Sequence, residues 1–181
     1  KMFIINNFID KLSLLCKLKT NVMFPVYGMA EASLAVSFPV PGEQTIPFAV
    51  SRTSLAIGDK VKYVDESAKD AVMMVDEGYP VHGVGIRIVD DKDNVLTENT
   101  IGNIQIKGPN VTSGYFENQE ATKTSFIDEW FKTGDLGMIR NGRLAVTGRA
   151  KDIIFVGGQN FYAHDLEQVV SQISGVDSNG I

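Results

Sequence analysis

"WFKTGDLGMI" (Trp130–Ile139), "GRLAVTG" (Gly142–Gly148) and "DIIFVGG" (Asp152–Gly158) are three apolar stretches separated by glycine turns. Runs of this length bounded by turn residues read as strands. Towards the C-terminus, "HDLEQVVSQI" is a helix with Leu166, Val169, Val170 and Ile173 on one face. Towards the N-terminus, "AVMMVDEG" and "IGNIQIKGP" repeat the strand pattern, and "VGIRIVDDKDNVLTEN" predicts a hairpin, with alternating arms flanking "DDKDN". "NQEATKTSF" is a short polar helix. "NVMFPVYG" (21–28) reads as a short buried strand that ends in a turn at Gly28. About seven short strands are expected, giving a mixed, β-rich α/β fold.

Pro39, Pro41, Gly42, Pro47 and Gly58 punctuate a loop-rich segment from Phe38 to about Ala71, in which "SRTSLAIGD" has room for one helical turn. Upstream, Phe3, Ile4, Ile5, Phe8, Ile9, Leu12 and Leu15 recur at helical spacing, the pattern of an amphipathic core helix. Polar residues interrupt it too often for a membrane span.

The 181 residues are 44% hydrophobic and 22% charged, the balance of a globular chain with a core. Seventeen basic against 22 acidic residues give a net charge of −5 with no basic run, which argues against nucleic acid as a partner. The single cysteine, Cys16, reads as a packed core thiol on a helix. One cysteine makes no internal disulfide, so a cytoplasmic setting is expected.

Several chemistries are excluded by pattern. Two histidines and one cysteine make no zinc set, and neither a G-x-S-x-G nor a G-x-x-x-x-G-K occurs. Gly83 and Gly85 begin a dinucleotide fingerprint, but Ile88 stands at the third glycine. Asp91, Asp93 and Val95 fail a calcium loop, which needs an oxygen ligand at the fifth position.

Three glycine-bounded stretches carry charge where strands end: "YGMAE" (Tyr27–Glu31), "TGD" (Thr133–Asp135) and "GRAKDIIFVGGQN" (Gly148–Asn160). Carboxylates at such turns can hold a hard cation or accept from sugar hydroxyls, and an arginine can bond phosphate or ribose oxygens. Each also has a plain account. Glu31 could be a first-turn helix acid, Asp135 a turn former, and Arg149 and Lys151 a solvated face.

In order and separation these stretches resemble the adenylate-forming superfamily of acyl- and aryl-CoA synthetases, adenylation domains and luciferase. "YGMAEAS" is similar to its Y-G-x-T-E motif. "IGNIQIKGPNVTSGYFENQEATKTSF" resembles its glycine-bounded strand followed by GY, and "FKTGDLG…GRLAVTGRAKDIIFVGGQNFYAHDLE" its longest signature. The resemblance runs from about residue 21 to 170. It implies attack of a carboxylic acid on the α-phosphate of ATP, then displacement of AMP by a thiol.

By that resemblance Tyr27 lies against adenine, Gly28, Met29 and Ala30 line the nucleotide site, and Glu31 is catalytic and holds Mg²⁺. Asp135 accepts from the ribose with Arg149 beside it. Lys151 marks the hinge, and Gly157 and Gly158 let a pantetheine arm pass close to the backbone, though a strand-to-helix turn also explains two glycines there.

The implied organisation is residues 1–149 as the end of the large AMP-binding domain, with an insertion at about 43–72 and a β-barrel-like subdomain at about 80–148. Residues 150–152 form the hinge, and 153–181 begin the small C-terminal domain. "FAVSRTSLAIGDKV" and Ala30 resemble the fatty acyl-AMP ligase branch, which passes fatty acids to the phosphopantetheine of an acyl carrier protein; acyl-CoA synthetase, with CoA as acceptor, is the other enzyme reading, and a non-catalytic nucleotide-binding or scaffold module is the alternative from another class. Asn103 and Ala163 depart from the family pattern away from the chemistry. A phosphate loop upstream and a catalytic lysine downstream are expected outside this chain, so the isolated chain is expected to be inactive.

Overall fold

The computed structural model describes residues 2–16, 18, 21–156, 159–170, 173 and 176. Its organising element is an antiparallel sheet of β5 (Gly85–Val89), β6 (Gly102–Lys107), β7 (Phe126–Ile127), β8 (Trp130–Arg140) and β9 (Arg143–Arg149), in which β8 is the longest strand. β6 runs along one edge of β8, while β7 and β9 share the other edge end to end. The mixed α/β, strand-rich class expected from the sequence is the class observed.

Turn chemistry sets the registers. Asn141 and Gly142 take positive φ between the closing pair Arg140 and Arg143, the two-residue loop whose twist matches that of the strands. The Glu98 carboxylate accepts from both of their backbone N–H groups, at 3.1 and 2.9 Å. Asp128 and Glu129, also at positive φ, turn β7 into β8.

Side-chain alternation on β8 and β9 divides the interior into two cores. Leu144 joins Ile88, Ile104, Ile106 and Phe131 on one side, packed with Tyr27, Ala32 and Val36. The neighbouring residues Ala145 and Met138 face the other side, with Ile101, Leu55, Val50 and Tyr162. Burying each of the larger aliphatic side chains contributes roughly 1.5–3 kcal/mol.

The second core is roofed by β2 (Phe48–Ser51) paired with β3 (Ala71–Met74). β1 (Ser37–Phe38) pairs with β4 (Tyr79–Pro80), and β10 (Ile153–Val156) with β11 (Gln159–Tyr162). Residues Arg52–Ser54 form a 3-10 turn inside "SRTSLAIGD", where one helical turn is expected. The helices are α1 (Met2–Ser13), α2 (Gln119–Ser125) and α3 (Ala163–Val170), and Asn118 caps α2 by accepting from Ala121 N–H at 3.0 Å. No helix among the described residues is long and apolar enough to cross a membrane.

Five expectations are corrected. Residues 21–26 form no ladder: Val22, Phe24 and Val26 are exposed, Pro25 can donate no bond, and only Tyr27 bridges to Ser37. Where a core helix is expected, Phe8 of α1 is exposed, as are Leu14 and Leu15 just beyond its end. Cys16 is likewise exposed in the turn after α1, its thiol donating to Leu12 O. Among the described residues eleven strands replace about seven, because two-residue strands such as β1, β4 and β7 carry no readable alternation. In the expected hairpin only β5 is a full arm, and the segment after "DDKDN" touches it through a Val89–Val95 bridge.

Candidate active site

Residues 27–37 close into a tight loop whose ends are pinned by Tyr27 and Ser37, Tyr27 N–H donating to Ser37 O at 3.1 Å. Inside it Met29 N–H donates to Leu34 O at 3.1 Å, and Leu34 N–H returns a 2.9 Å bond to Met29 O. Gly28 is required here by close approach: a Cβ would lie 1.7 Å from the Leu34 carbonyl oxygen. Ala30–Ala32 form a 3-10 turn with Glu31 in its first turn, followed by Ser33 and Leu34 at φ 48° and 81°. Two consecutive non-glycine residues at positive φ store strain that the surrounding bonds must hold.

That restraint comes from residues 110–115. The half-buried Asn110 amide donates from Nδ2 to Ala32 O at 2.8 Å and Ala35 O at 2.7 Å, and Thr112 N–H donates to Glu31 O at 2.7 Å. From the same segment the Tyr115 hydroxyl donates to Oε1 of Glu31 at 2.9 Å. Burial, and then the bond to Glu31, raise the Tyr115 phenol above its ordinary value, so it remains a protonated donor at neutral pH.

"TGD" occupies an irregularity in the ladder. Between the pairs Asn103–Leu136 and Gln105–Lys132, β8 has more residues than β6, and Gly134 takes φ +77°. Thr133 substitutes for the interrupted ladder, its hydroxyl donating to Ile104 O at 2.9 Å and accepting from Asp135 N–H at 3.1 Å. The bulge presents Asp135 opposite Arg149 of β9.

Asp135 is buried, and both its oxygens are engaged. Tyr27 donates to Oδ2 at 2.6 Å and Arg149 Nε donates to Oδ1 at 3.1 Å. Desolvation, followed by the bond to Asp135, holds the Tyr27 phenol far above its usual value, so it serves as a fixed neutral donor. Tyr27, Asp135 and Arg149 thus meet directly. Glu31 lies four residues beyond Tyr27, with its carboxylate on Tyr115 instead.

Met29 is half-buried against the first core, and Ala30 is exposed beside Glu31. Lys151 sits exposed in a 3-10 turn, Ala150–Asp152, linking β9 to β10. Gly157 and Gly158 lie outside the described residues. Thr133, Asn110 and Tyr115 have no role in the sequence reading; each stands in a quoted stretch, but their partners lie 29 to 84 residues away.

The AMP-binding enzyme family matches residues 12–116. The chain is 32% identical to the 4-hydroxyphenylalkanoate adenylyltransferase of Mycobacterium marinum over 94% of its own length and 29% of that protein's. It is 34% identical to the 2-succinylbenzoate–CoA ligase of Listeria monocytogenes, covering 86% of this chain and 31% of the ligase. Among solved structures, the fatty acyl-adenylate ligases studied from E. coli and L. pneumophila superpose at TM-score 0.82 and 28% identity, over 96% of this chain and 31% of theirs. A keto acid-selecting NRPS module with adenylation and ketoreductase domains superposes at TM-score 0.84 and 35% identity, over 96% of this chain and 15% of the module. The chain therefore spans less than a third of these relatives. It belongs to the AMP-binding, adenylate-forming enzyme family.

Proposed function

We propose that the enzyme containing this chain is a fatty acyl-AMP ligase. A fatty acid carboxylate oxygen attacks the α-phosphorus of ATP and the bond to pyrophosphate breaks; the phosphopantetheine thiol of an acyl carrier protein then attacks the acyl carbon and AMP leaves. The reading rests on one observation: segments more than a hundred residues apart meet as Tyr27–Asp135–Arg149, with Glu31 on the loop that begins at Tyr27.

In this reading the Tyr27 ring flanks adenine while its hydroxyl keeps Asp135 aimed at the ribose hydroxyls. Gly28, Met29 and Ala30 supply a close-approach backbone. Arg149 orients Asp135 from the opposite side and offers its remaining guanidinium donors to the nucleotide. Residues 150–152, with Lys151, act as the hinge between 1–149 and 153–181, and Gly157 and Gly158 line the pantetheine path.

The residues suit a magnesium ion brought in by ATP. Among the described residues no three His, Cys, Asp or Glu side chains cluster, and Glu31 Oε2 has no protein donor. Mg²⁺ commonly takes one or two carboxylates and leaves its other positions to water and phosphate. Bound there, it would neutralise charge as that charge moves onto pyrophosphate.

A second reading, acyl-CoA synthetase, is favoured by the identity to a CoA ligase. The full-length enzyme should be given ATP and a panel of fatty acids and 4-hydroxyphenylalkanoates, with holo acyl carrier protein and CoA in competition. Acylated carrier protein and fatty-acid-dependent ATP–pyrophosphate exchange are expected, and Glu31→Ala and Asp135→Ala should abolish the exchange. Acylation of CoA alone overturns the branch assignment, and exchange with the aryl acids alone overturns the acid class.

A further inference from the structure

We infer that Tyr115 is a positioning residue for Glu31: its hydroxyl fixes the rotation of the carboxylate through Oε1 and leaves Oε2 as the face open to a cation. The inference rests on Glu31 being the metal-bearing carboxylate of the proposed reaction.

Three observations support it. The first is that one segment holds both halves of Glu31, with Thr112 N–H on its carbonyl at 2.7 Å and the Tyr115 hydroxyl on its carboxylate at 2.9 Å. A glutamate has three side-chain torsions to order, whereas a tyrosine has two and a rigid ring, so the tyrosine carries the preorganisation.

Tyr115 is itself seated. Its N–H donates to Thr122 Oγ1 at 2.8 Å, and that hydroxyl donates to Asn118 O at 2.8 Å at the start of α2. Gly114, at φ +152°, makes the seat possible, since a Cβ there would lie 2.5 Å from the Thr122 methyl. A helix end thus fixes the tyrosine, and the tyrosine fixes the carboxylate.

The third observation is chemical. A lysine at this position would orient Glu31 but cancel the charge a cation needs. A protonated phenol orients it and leaves the full negative charge, and outer-shell partners of metal ligands typically matter by about 10–100-fold in affinity or activity.

The test is calorimetric titration of ATP into the full-length enzyme with no acid substrate present, so no turnover occurs, once in Mg²⁺ and once in EDTA. Tyr115→Phe keeps the ring at a position 38% exposed, so the fold should be retained, with an unchanged melting temperature as the control. Expected is about tenfold weaker ATP binding in Mg²⁺, unchanged binding in EDTA, exchange activity restored by raised Mg²⁺, and unaltered thiol transfer from supplied acyl-adenylate. Wild-type behaviour in Mg²⁺, or an equal loss with and without the metal, overturns the inference. Glu31→Gln separates the two levels: loss of the Mg²⁺ dependence in Glu31→Gln but not in Tyr115→Phe rejects the positioning role alone. A wild-type Mg²⁺ dependence in Glu31→Gln rejects the reading of the site.

Discussion

Tyr27 and Asp135, 108 residues apart in sequence, are joined by a buried 2.6 Å hydrogen bond between the phenol and Oδ2, with Tyr27 itself part of the first hydrophobic core. The bond ties the loop carrying Glu31 to the bulge carrying Asp135. The two charged stretches are therefore held at one place by a neutral donor, and Arg149 completes the carboxylate from the solvent side.

Tyr27→Phe should cost about 1–3 kcal/mol, because it leaves a buried carboxylate short of a donor while keeping the ring. Urea denaturation is expected to show a lower midpoint with an unchanged slope. In the full-length enzyme the variant should also lose part of its preference for ATP over 2′-deoxy-ATP, since Asp135 is no longer oriented. An unaltered midpoint and preference would show that Arg149 alone holds Asp135.

The raised pKa of Tyr27 sets the sign of an alkaline effect. The native state holds this proton more tightly than the unfolded chain, whose tyrosines ionise near about pH 10. Above that pH the unfolded state sheds its proton while the native state keeps it, so stability falls as pH rises, by up to about 1.4 kcal/mol per pH unit. Tyr27→Phe should flatten the stability curve between roughly pH 9.5 and 11. A residual slope of the same sign is expected, because Tyr63 and Tyr115 are raised as well, each chiefly by burial.

Gly28→Ala should open the loop that bears Glu31. Its Cβ would sit 1.7 Å from the Leu34 oxygen, which itself accepts from Met29 N–H, so the backbone has to move rather than a side-chain tip. A cost on the order of 3 kcal/mol is expected in chemical denaturation. Displacing Glu31 by about 1 Å should lower ATP–pyrophosphate exchange in the full-length enzyme by roughly a hundredfold. Exchange within a few-fold of wild type would mean the loop adapts without moving Glu31.

These relationships were unequally legible in the sequence. β6, β8 and β9 could be read from it because they are long enough to show alternation and end at glycine turns. The loop 27–37 could not, because Pro25 interrupts an apolar run that otherwise imitates a buried strand. The motifs identify Tyr27, Glu31, Asp135 and Arg149 by type, but not that the Tyr27 hydroxyl is spent on Asp135. Asn110 and Tyr115 were invisible because a hydrogen bond across 75 to 84 residues leaves no periodic trace. Burial failed most clearly at α1 and Cys16, where helical spacing shows which face can be covered and not what covers it.

Gly148→Ala should loosen the β10–β11 pair from the sheet. Tyr162 of β11 is buried in the second core, and a Cβ on Gly148 would lie 2.5 Å from its ring, with little room for the ring to retreat. The substitution therefore sets one methyl against a side chain whose complete removal typically costs about 3–5 kcal/mol. Because Arg149 precedes, and Lys151 lies within, the exposed 3-10 turn between β9 and β10, trypsin reports the outcome. Cleavage after Lys151 should be several-fold faster in Gly148→Ala than in wild type, and Tyr162→Ala, which removes the ring, should accelerate it in the same way. Combining the two substitutions should add little, since the methyl then has no ring to displace. Full additivity would mean that Gly148 does not act through the seating of Tyr162.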